Sequence, residues 1–280
     1  MQRNLRIDLK DGIAIRPAES IDDYRACQEA QRRAWGISDD NYLIPIATLV
    51  GAQHHGGLVL GAFQEDGTAV AMSFAFLGRL KRQICLYSQL TGVIPEFQSL
   101  GLGKQIKLLQ RQFARDEGIA RVAWAFDPLQ AGNARFNLNK LGATSSQFIE
   151  NMYGLRTDPL NSGVPTDRLI AEWPVEPDRR LLVPESTQLP FPDLIPTERS
   201  TGHVPVPLRR ARSPETLWVR LRIPIDIKTL REDDPDLAEA WRVAVKEAFQ
   251  YAFKAGYQAV RFYQNPQIDG ADMAYYLLHR

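Results

Sequence analysis

The stretch that decides the fold is residues 90–118, which read LTGVIPEFQSLGLGKQIKLLQRQFARDEG. The stretch begins as a strand and passes through a proline-containing turn into a glycine-rich loop, Gln98-x-x-Gly101-x-Gly103. A helix over about 101–116 then follows, because one apolar face recurs at helical spacing: Leu102, Ile106, Leu109 and Phe113. The pattern predicts a strand, loop and helix in direct succession.

This loop has the features of an anion-binding site. Glycine lets a backbone approach a ligand closely, and a helix N-terminus presents N–H groups with partial positive charge. Lys104 and Lys107 add positive charge nearby, so a pyrophosphate is the natural ligand. A bare Gly-x-Gly is also consistent with a tight turn alone. A Walker loop is excluded because position 98 is Gln, and a dinucleotide fingerprint because Ile106 stands at its third glycine.

The flanking sequence predicts alternating strands and helices. Ser20 with Asp23 resembles a capping box at the start of a helix, and Asp66-Gly67 indicates a tight hairpin. The predicted elements up to Trp173 are strand 13–17, helix 20–35, a short helix from Pro45 to about His54, strands 58–64, 68–77 and 83–91, the motif helix, strand 120–126, a short helix near 132–140, and strands near 144–153 and 167–173.

This segment resembles the GNAT (N-acetyltransferase-like) acyl-CoA acyltransferase superfamily. The family signature is a strand, V-x-P, then Q/R-x-x-G-x-G/A opening a helix; this chain has Val93-Ile94-Pro95 followed by Gln98 to Gly103. Lys140-Leu141-Gly142 matches the family's K-x-G. The resemblance covers about 11–175. It implies an α+β GNAT fold, a mixed and mostly antiparallel central sheet flanked by helices, here with a C-terminal α/β extension.

The resemblance also implies a binding site for acyl-CoA as co-substrate. Its pyrophosphate would lie on backbone amides from Ser99 to Lys104, and its pantetheine between splayed strands ending at Val93 and beginning near Arg121. A backbone N–H near Val93 would polarise the thioester carbonyl. The family carries an asparagine on the helix before its K-x-G. Its position is shifted in this chain, and Asn133 and Asn137 are the two candidates for it. The implied cofactor-binding residues are Val93, Gln98, Ser99, Leu100, Gly101, Leu102, Gly103, Lys104, Asn133 and Asn137.

The catalytic positions depart from the family pattern. Leu138 replaces the tyrosine that usually acts as general acid. Tyr153 is a substitute candidate for the acid, against the alternative of an aromatic residue at a sheet edge. Glu150 is a candidate base, against an exposed surface residue. His54, beside His55 near the end of the second helix, is another candidate base, against a histidine that complements the helix dipole.

Composition narrows the functional classes. Lys+Arg 34 against Asp+Glu 33 gives a net charge of +1, so bulk attraction to nucleic acid or to an anionic membrane is not expected. The two cysteines, Cys27 and Cys85, form no disulfide framework or CxxC motif, and the four histidines show no metal-ligand spacing. The sequence shows no transmembrane stretch or signal peptide, so a cytoplasmic protein is expected.

Composition changes after Trp173. Residues 176–214 are proline-rich and are predicted to be an extended connection; the arginines at 209, 210 and 212 could meet a carboxylate or belong to a solvated loop. Residues 215–280 predict a strand at 217–227 with Pro224 at an edge or bulge, a helix at 235–255, and strands at 259–263 and 273–278. This region is expected to pack on the 11–175 domain or on the partner subunit of a homodimer.

Two hypotheses about function follow. The first is an N-acyltransferase that moves an acetyl or larger group, such as succinyl, from CoA to the amine of a small molecule such as an amino acid, by direct attack on the thioester. The second is a non-catalytic GNAT-fold module that binds acyl-CoA and senses it. The missing tyrosine favours the second, and release of CoA in the presence of amines separates the two.

Overall fold

The computed structural model describes residues 5–10, 12–154, 164–176, 191–198, 202–208, 216–264 and 272–280. These residues form two compact units. The first contains the described residues up to Trp124 together with 164 and 174–176. The second contains Ala125–Gly154, Pro165–Trp173 and the described residues from 191 onward. The arginines at 209, 210 and 212 lie outside the described residues.

The first unit is built on a mixed sheet. Its strands are β1 Ile7–Asp8, β2 Ala14–Pro17, β3 Leu58–Phe63, β4 Ala69–Leu80, β5 Gln83–Val93 and β6 Arg121–Phe126. Each strand from β1 to β5 pairs with the next in antiparallel fashion, and β5 pairs with β6 in parallel. The last two residues of β6 belong to the second unit.

Three α-helices accompany this sheet: α1 Ile21–Trp35, α2 Ile46–His54 and α3 Leu102–Asp116. Short 3₁₀ turns occupy Asp40–Tyr42 and Pro95–Leu100. The predicted capping box at the start of α1 is confirmed, since Ser20 accepts from the Asp23 N–H and the Asp23 carboxylate accepts from the Ser20 N–H.

The helices cover opposite faces of the first sheet. Met72 and Phe74 of β4 belong to an apolar cluster with residues of α1 and α2. Ser73 lies between them in sequence, so its side chain points to the other face, where Gln110 of α3 donates a hydrogen bond to its hydroxyl. Strand alternation therefore places α3 on the face opposite α1 and α2.

The elements of the second unit are α4 Ala131–Ala134, a π-helical turn Arg135–Leu141, β7 Thr144–Ile149, β8 Arg168–Pro174, β9 Thr197–Glu198, β10 Val206–Pro207, β11 Trp218–Pro224, α5 Ile227–Asp233, α6 Pro235–Lys254, β12 Gln258–Tyr263 and β13 Met273–His279. The strands form an antiparallel sheet in the order β8–β7–β12–β13–β11 and a separate β9–β10 pair.

Helix α6 supplies the core of this unit. Its residues Trp241, Val245 and Phe249 are almost completely buried. The Phe249 ring stacks on Phe148 of β7, with centroids 6.3 Å apart, and meets the Tyr276 ring of β13 edge-on at 5.1 Å. The C-terminal strands and helix therefore share one core with β7 of the same chain.

The structure differs from the predicted elements in several places. β7 ends at Ile149 instead of 153, because the chain turns at Asn151, which has a φ of 44°. The predicted helix near 132–140 is one α-helical turn that continues as a π-helix to Leu141. The sequence signalled neither α5 nor the two-residue strands β1, β9 and β10. Pro224 is the last residue of β11, and β11 is the last strand in the sheet order. This position agrees with the prediction that Pro224 lies at an edge or a bulge.

Taken together, the fold class is confirmed: a mixed, largely antiparallel sheet with flanking helices and a C-terminal extension. From β2 to β8 the order of strands and helices is the order that the GNAT resemblance implied. The predicted domain boundaries, 11–175, 176–214 and 215–280, stay a prediction.

Candidate functional site

The anion loop joins β5 to α3 in the first unit. After Val93 the chain forms the 3₁₀ turn Pro95–Leu100 and reaches Gly101, which adopts a left-handed φ of 72° and is the N-cap of α3. A side chain at Gly101 would strain the backbone. At Gly103 φ is not in that region, and an added Cβ would meet no described atom within 4 Å. Among the described residues, the space beside Gly103 is therefore open.

The first backbone donors of α3 have no partner within the helix. No side chain caps the helix at Gly101, so the N–H groups of Leu102 and Gly103 are the terminal donors that a helix cannot satisfy internally. The Lys104 N–H donates instead to the Gly101 carbonyl at 3.0 Å. Its amide is thus occupied, contrary to the sequence expectation, while its side chain is exposed.

Gln98 holds the turn that precedes the loop. Its side-chain amide donates to the carbonyl of Val93 at 3.2 Å, which gives this motif residue a structural role. Ser99 and Leu100 complete the loop and are exposed. Of the residues that the resemblance assigned to CoA, the structure brings the stretch from Val93 to Lys104 together at the end of β5.

The N–H of Val93 points away from β4. Ile94 donates its N–H to the Val70 carbonyl at 3.1 Å, and Ala71 and Val93 are opposite each other. Paired residues of an antiparallel ladder alternate between hydrogen-bonded and non-hydrogen-bonded positions. Val93 therefore occupies a non-hydrogen-bonded position, and its N–H faces the other edge of β5.

β5 and β6 pair over a short distance. In the described part of the chain their parallel register comprises Leu86 with Val122 and Tyr87 with Ala123. β5 continues to Val93 beyond this register, and the Gln98 side chain contacts its outer edge at the Val93 carbonyl. This geometry agrees with the splayed pair of strands implied by the resemblance.

A buried polar cluster lies where this pairing ends. Ser88 and Trp124 come directly after the last paired residues, Tyr87 and Ala123. The Lys107 ammonium nitrogen is 2.9 Å from the Ser88 hydroxyl and 4.1 Å from the centroid of the Trp124 ring. Only 5% of the surface of Lys107 is exposed. Lys107 thus points into the core, and the expectation that its charge lies near the loop anion is wrong.

Burial has a large effect on the protonation of this lysine. It lowers the pKa of Lys107 from 10.5 to about 7, because an ammonium loses its hydration in the interior. The cluster partners are neutral: a hydroxyl, an indole ring and the amide of Gln110, which donates to both Ser73 and Ser88. A lysine on a helix usually indicates a solvated face, so the burial of Lys107 could not be predicted from the sequence alone.

The two candidates from the β7 region lie in the second unit. Glu150 is an exposed residue that forms an ion pair with Lys246 at 2.8 Å, and the hydrogen bond from that lysine lowers the pKa of the carboxyl group. A lowered pKa disfavours a general base. The Tyr153 N–H donates to the Thr166 hydroxyl at 2.8 Å, and the Arg168 guanidinium lies 5.5 Å from the Tyr153 ring. Tyr153 occupies a turn, not the strand end that was expected.

The remaining candidates occupy different environments. Asn133 is exposed on α4, whereas Asn137 is buried in the π-helical turn, where its carbonyl accepts the Ala143 N–H. Leu138, at the position of the absent tyrosine, is completely buried. His54 is exposed at the end of α2 in the first unit.

A carboxyl group that sequence reasoning missed lies directly after β6. Asp127 accepts the Leu129 N–H at 2.8 Å, and burial raises the pKa of its carboxyl group. Tyr276 donates its hydroxyl to the neighbouring Pro128 carbonyl at 2.7 Å. A charged residue directly after a strand is the sequence signal that could have identified Asp127.

No protein-family model and no curated protein matches this sequence. Solved structures do match. The ribosomal-protein-S18-alanine N-acetyltransferase from Escherichia coli is 20% identical, with 60% of this chain and 97% of that chain covered and a TM-score of 0.45. For yncA from Salmonella typhimurium, determined with its cofactor acetyl-CoA, identity is 19%, coverage 60% and 97%, and the TM-score 0.48.

A GNAT superfamily phosphinothricin acetyltransferase from Sinorhizobium meliloti, in complex with acetyl-CoA, is 14% identical, with 58% and 88% covered and a TM-score of 0.47. The element order described above is the one that the resemblance to the GNAT superfamily implied.

Among the described residues, no helix combines the length and the apolar character needed to span a bilayer. The same residues contain no group of three or more His, Cys, Asp or Glu side chains arranged to hold a metal ion.

Proposed function

We propose that this protein is an acyl-CoA-dependent N-acyltransferase. It transfers an acetyl group, or a larger group such as succinyl, to the amine of a small molecule such as an amino acid. The observation that carries the proposal is the uncapped start of α3 at Gly101–Gly103, which follows β5 through one 3₁₀ turn, with the Val93 N–H directed to the edge of β5 opposite β4. The small-molecule acceptor, a homodimer, a cytoplasmic location and the absence of nucleic-acid and membrane partners belong to the same proposal.

The residues at the loop fit the phosphates of CoA. The Leu102 and Gly103 amides and the α3 dipole would hold the pyrophosphate, and the exposed Lys104 ammonium would add a charge-assisted contact. The open space at Gly103 allows a close backbone approach. The Val93 N–H, directed to the edge of β5 opposite β4, would donate to the thioester carbonyl as charge develops there.

A non-catalytic acyl-CoA-binding module is the second candidate. The observation that favours it is Leu138, which is completely buried where the family's acid tyrosine would stand. A leucine can neither protonate a thiolate nor give up a buried position without loss of packing. In this case acyl-CoA would bind at the same loop and remain intact.

Release of CoA distinguishes the two candidates. Purified protein is incubated with acetyl-CoA or succinyl-CoA and a panel of amines that includes D- and L-amino acids, and free thiol is measured with a chromogenic disulfide. Amine-dependent thiol release supports the transferase. Binding of acyl-CoA by calorimetry without thiol release for any amine would instead establish the binding module.

A further inference from the structure

The bulge in β5 brings two hydroxyl groups to one face. Ser73 is opposite Thr91 and Ala75 is opposite Ser88, with a register shift between Phe74 and Ala75. Residues 88 and 91 differ by an odd number, so in a regular strand their side chains would point to opposite faces. The extra residue of the bulge reverses the alternation, so both side chains face α3. Bulges near functional sites often re-aim a side chain in this way.

The hydroxyl groups form a chain that ends at Lys107. Thr91 Oγ1 is 3.5 Å from Ser88 Oγ, which is 2.9 Å from the Lys107 nitrogen. Thr91 is partly exposed, whereas Ser88 and Lys107 are buried. The chain therefore runs from the accessible part of β5, two residues before Val93, to an amine in the interior.

Gln110 fixes the direction of these hydrogen bonds. Its amide nitrogen donates to Ser73 Oγ at 2.5 Å and to Ser88 Oγ at 3.0 Å. Ser73 Oγ donates to the Leu90 carbonyl at 3.1 Å and also lies 3.1 Å from Thr91 Oγ1. Ser88 can then donate either to a neutral Lys107 or, when Lys107 is an ammonium and itself a donor, onward to Thr91. The protonation state of Lys107 thus determines the orientation of the Ser88 hydroxyl.

We propose that Lys107 stores the proton of the acyl transfer, and that Ser88 and Thr91 carry it between the reacting groups and this buried amine. The proposal rests on the transferase function. The acceptor amine forms the new C–N bond and the thioester C–S bond breaks. The proton lost by the amine passes through Thr91 and Ser88 to the neutral Lys107, and the resulting ammonium returns it along the same hydroxyls to the CoA thiolate.

Two observations are accounted for by this arrangement. The chain has a leucine at position 138 where the GNAT pattern has the acid tyrosine. The proton that returns from Lys107 protonates the CoA thiolate in place of that tyrosine. The groups gathered around the amine are Ser88 on β5, Trp124 on β6 and Gln110 on α3, and all three are uncharged. The lowered pKa of Lys107, about 7, lets it both accept and release a proton near neutral pH.

The test separates proton transfer from packing. Lys107→Met and Lys107→Arg remove the ability to exchange a proton, and both should lower kcat about 100-fold or more while the Kd for acetyl-CoA stays within about twofold. Thr91→Val removes only a hydroxyl from a side chain of the same shape and should lower kcat, whereas Thr91→Ser should restore it. The acidic limb of kcat/KM near pH 7 should disappear in Lys107→Met.

A titration independent of activity accompanies these assays. In protein labelled with ¹³C at the lysine ε-carbon, the Lys107 resonance, assigned by its loss in Lys107→Met, should titrate near pH 7. Full activity of Lys107→Arg with an unchanged pH profile would overturn the proposal while leaving the transferase intact. Titration of this resonance near pH 10.5 would overturn it as well. No thiol release by the wild-type protein with any amine would overturn the transferase itself.

Discussion

Replacing Lys107 with methionine should stabilise the protein. Burial lowers the pKa of this lysine from 10.5 to about 7, a difference of about 3.5 units at 1.36 kcal/mol each. A charged Lys107 below pH 7 therefore costs about 5 kcal/mol of folding free energy. Methionine keeps most of the length of the side chain without a charge to desolvate.

The sign of the pH dependence follows from the same two pKa values. Between about pH 7 and pH 10.5 the unfolded chain holds this proton and the folded chain does not. Because the unfolded state binds more protons, the free energy of unfolding rises with pH in this window. The destabilisation by Lys107 is complete below pH 7 and decreases above it, by roughly 1–2 kcal/mol between pH 7 and pH 8.5.

Urea unfolding of the wild-type protein and Lys107→Met at these two pH values measures the effect. The variant should be more stable at both, and its advantage should be smaller at pH 8.5 by that amount. Lys254→Met, at an exposed lysine at the end of α6, is the matched control and should show no such change. An advantage of Lys107→Met that is equal at the two pH values, or a loss of stability at both, would refute the reasoning.

Three further predictions concern stability and thiol chemistry. Phe249→Ala should cost about 3–5 kcal/mol, since this ring is completely buried between Phe148 and Tyr276; a cost below 1 kcal/mol in chemical denaturation would contradict this packing. Ser20→Ala should cost about 1–2 kcal/mol through loss of the N-cap of α1, and an unchanged melting temperature would argue against the cap. Cys27 is buried and its pKa is raised to about 12, so it should react with a thiol reagent only after unfolding, and prompt labelling of native protein would contradict this.

Local signals in the sequence predicted the elements of the first unit well. The capping residues Ser20 and Asp23 marked the start of α1, and the apolar spacing after Gly101 marked α3, because both depend on residues within one or two turns. The π-helical turn at Arg135–Leu141 was not predictable in this way, since its residues also fit an ordinary helix.

The site was only partly predictable for a related reason. The residues of the anion loop are contiguous in the sequence, and Gly101 and Gly103 were enough to predict the loop. The cluster of Lys107, Ser88 and Thr91 depends on a strand bulge and on the register between β4 and β5, which connect residues distant in sequence. Such contacts reverse the usual interpretation of a helical lysine as a solvated residue.

The central claim is that acyl-CoA binds at the Gly101–Gly103 turn, and calorimetric titration of Gly103→Val with acetyl-CoA tests it most directly. A Cβ at position 103 meets open space among the described residues, so the melting temperature should change little, while the close approach of the phosphates is blocked. Gly51→Val, on α2 with similarly open space, is the control. The account predicts that Gly103→Val weakens binding at least about tenfold, a loss of about 1.4 kcal/mol or more, while Gly51→Val binds as the wild type does; equal affinity in all three proteins would contradict the claim.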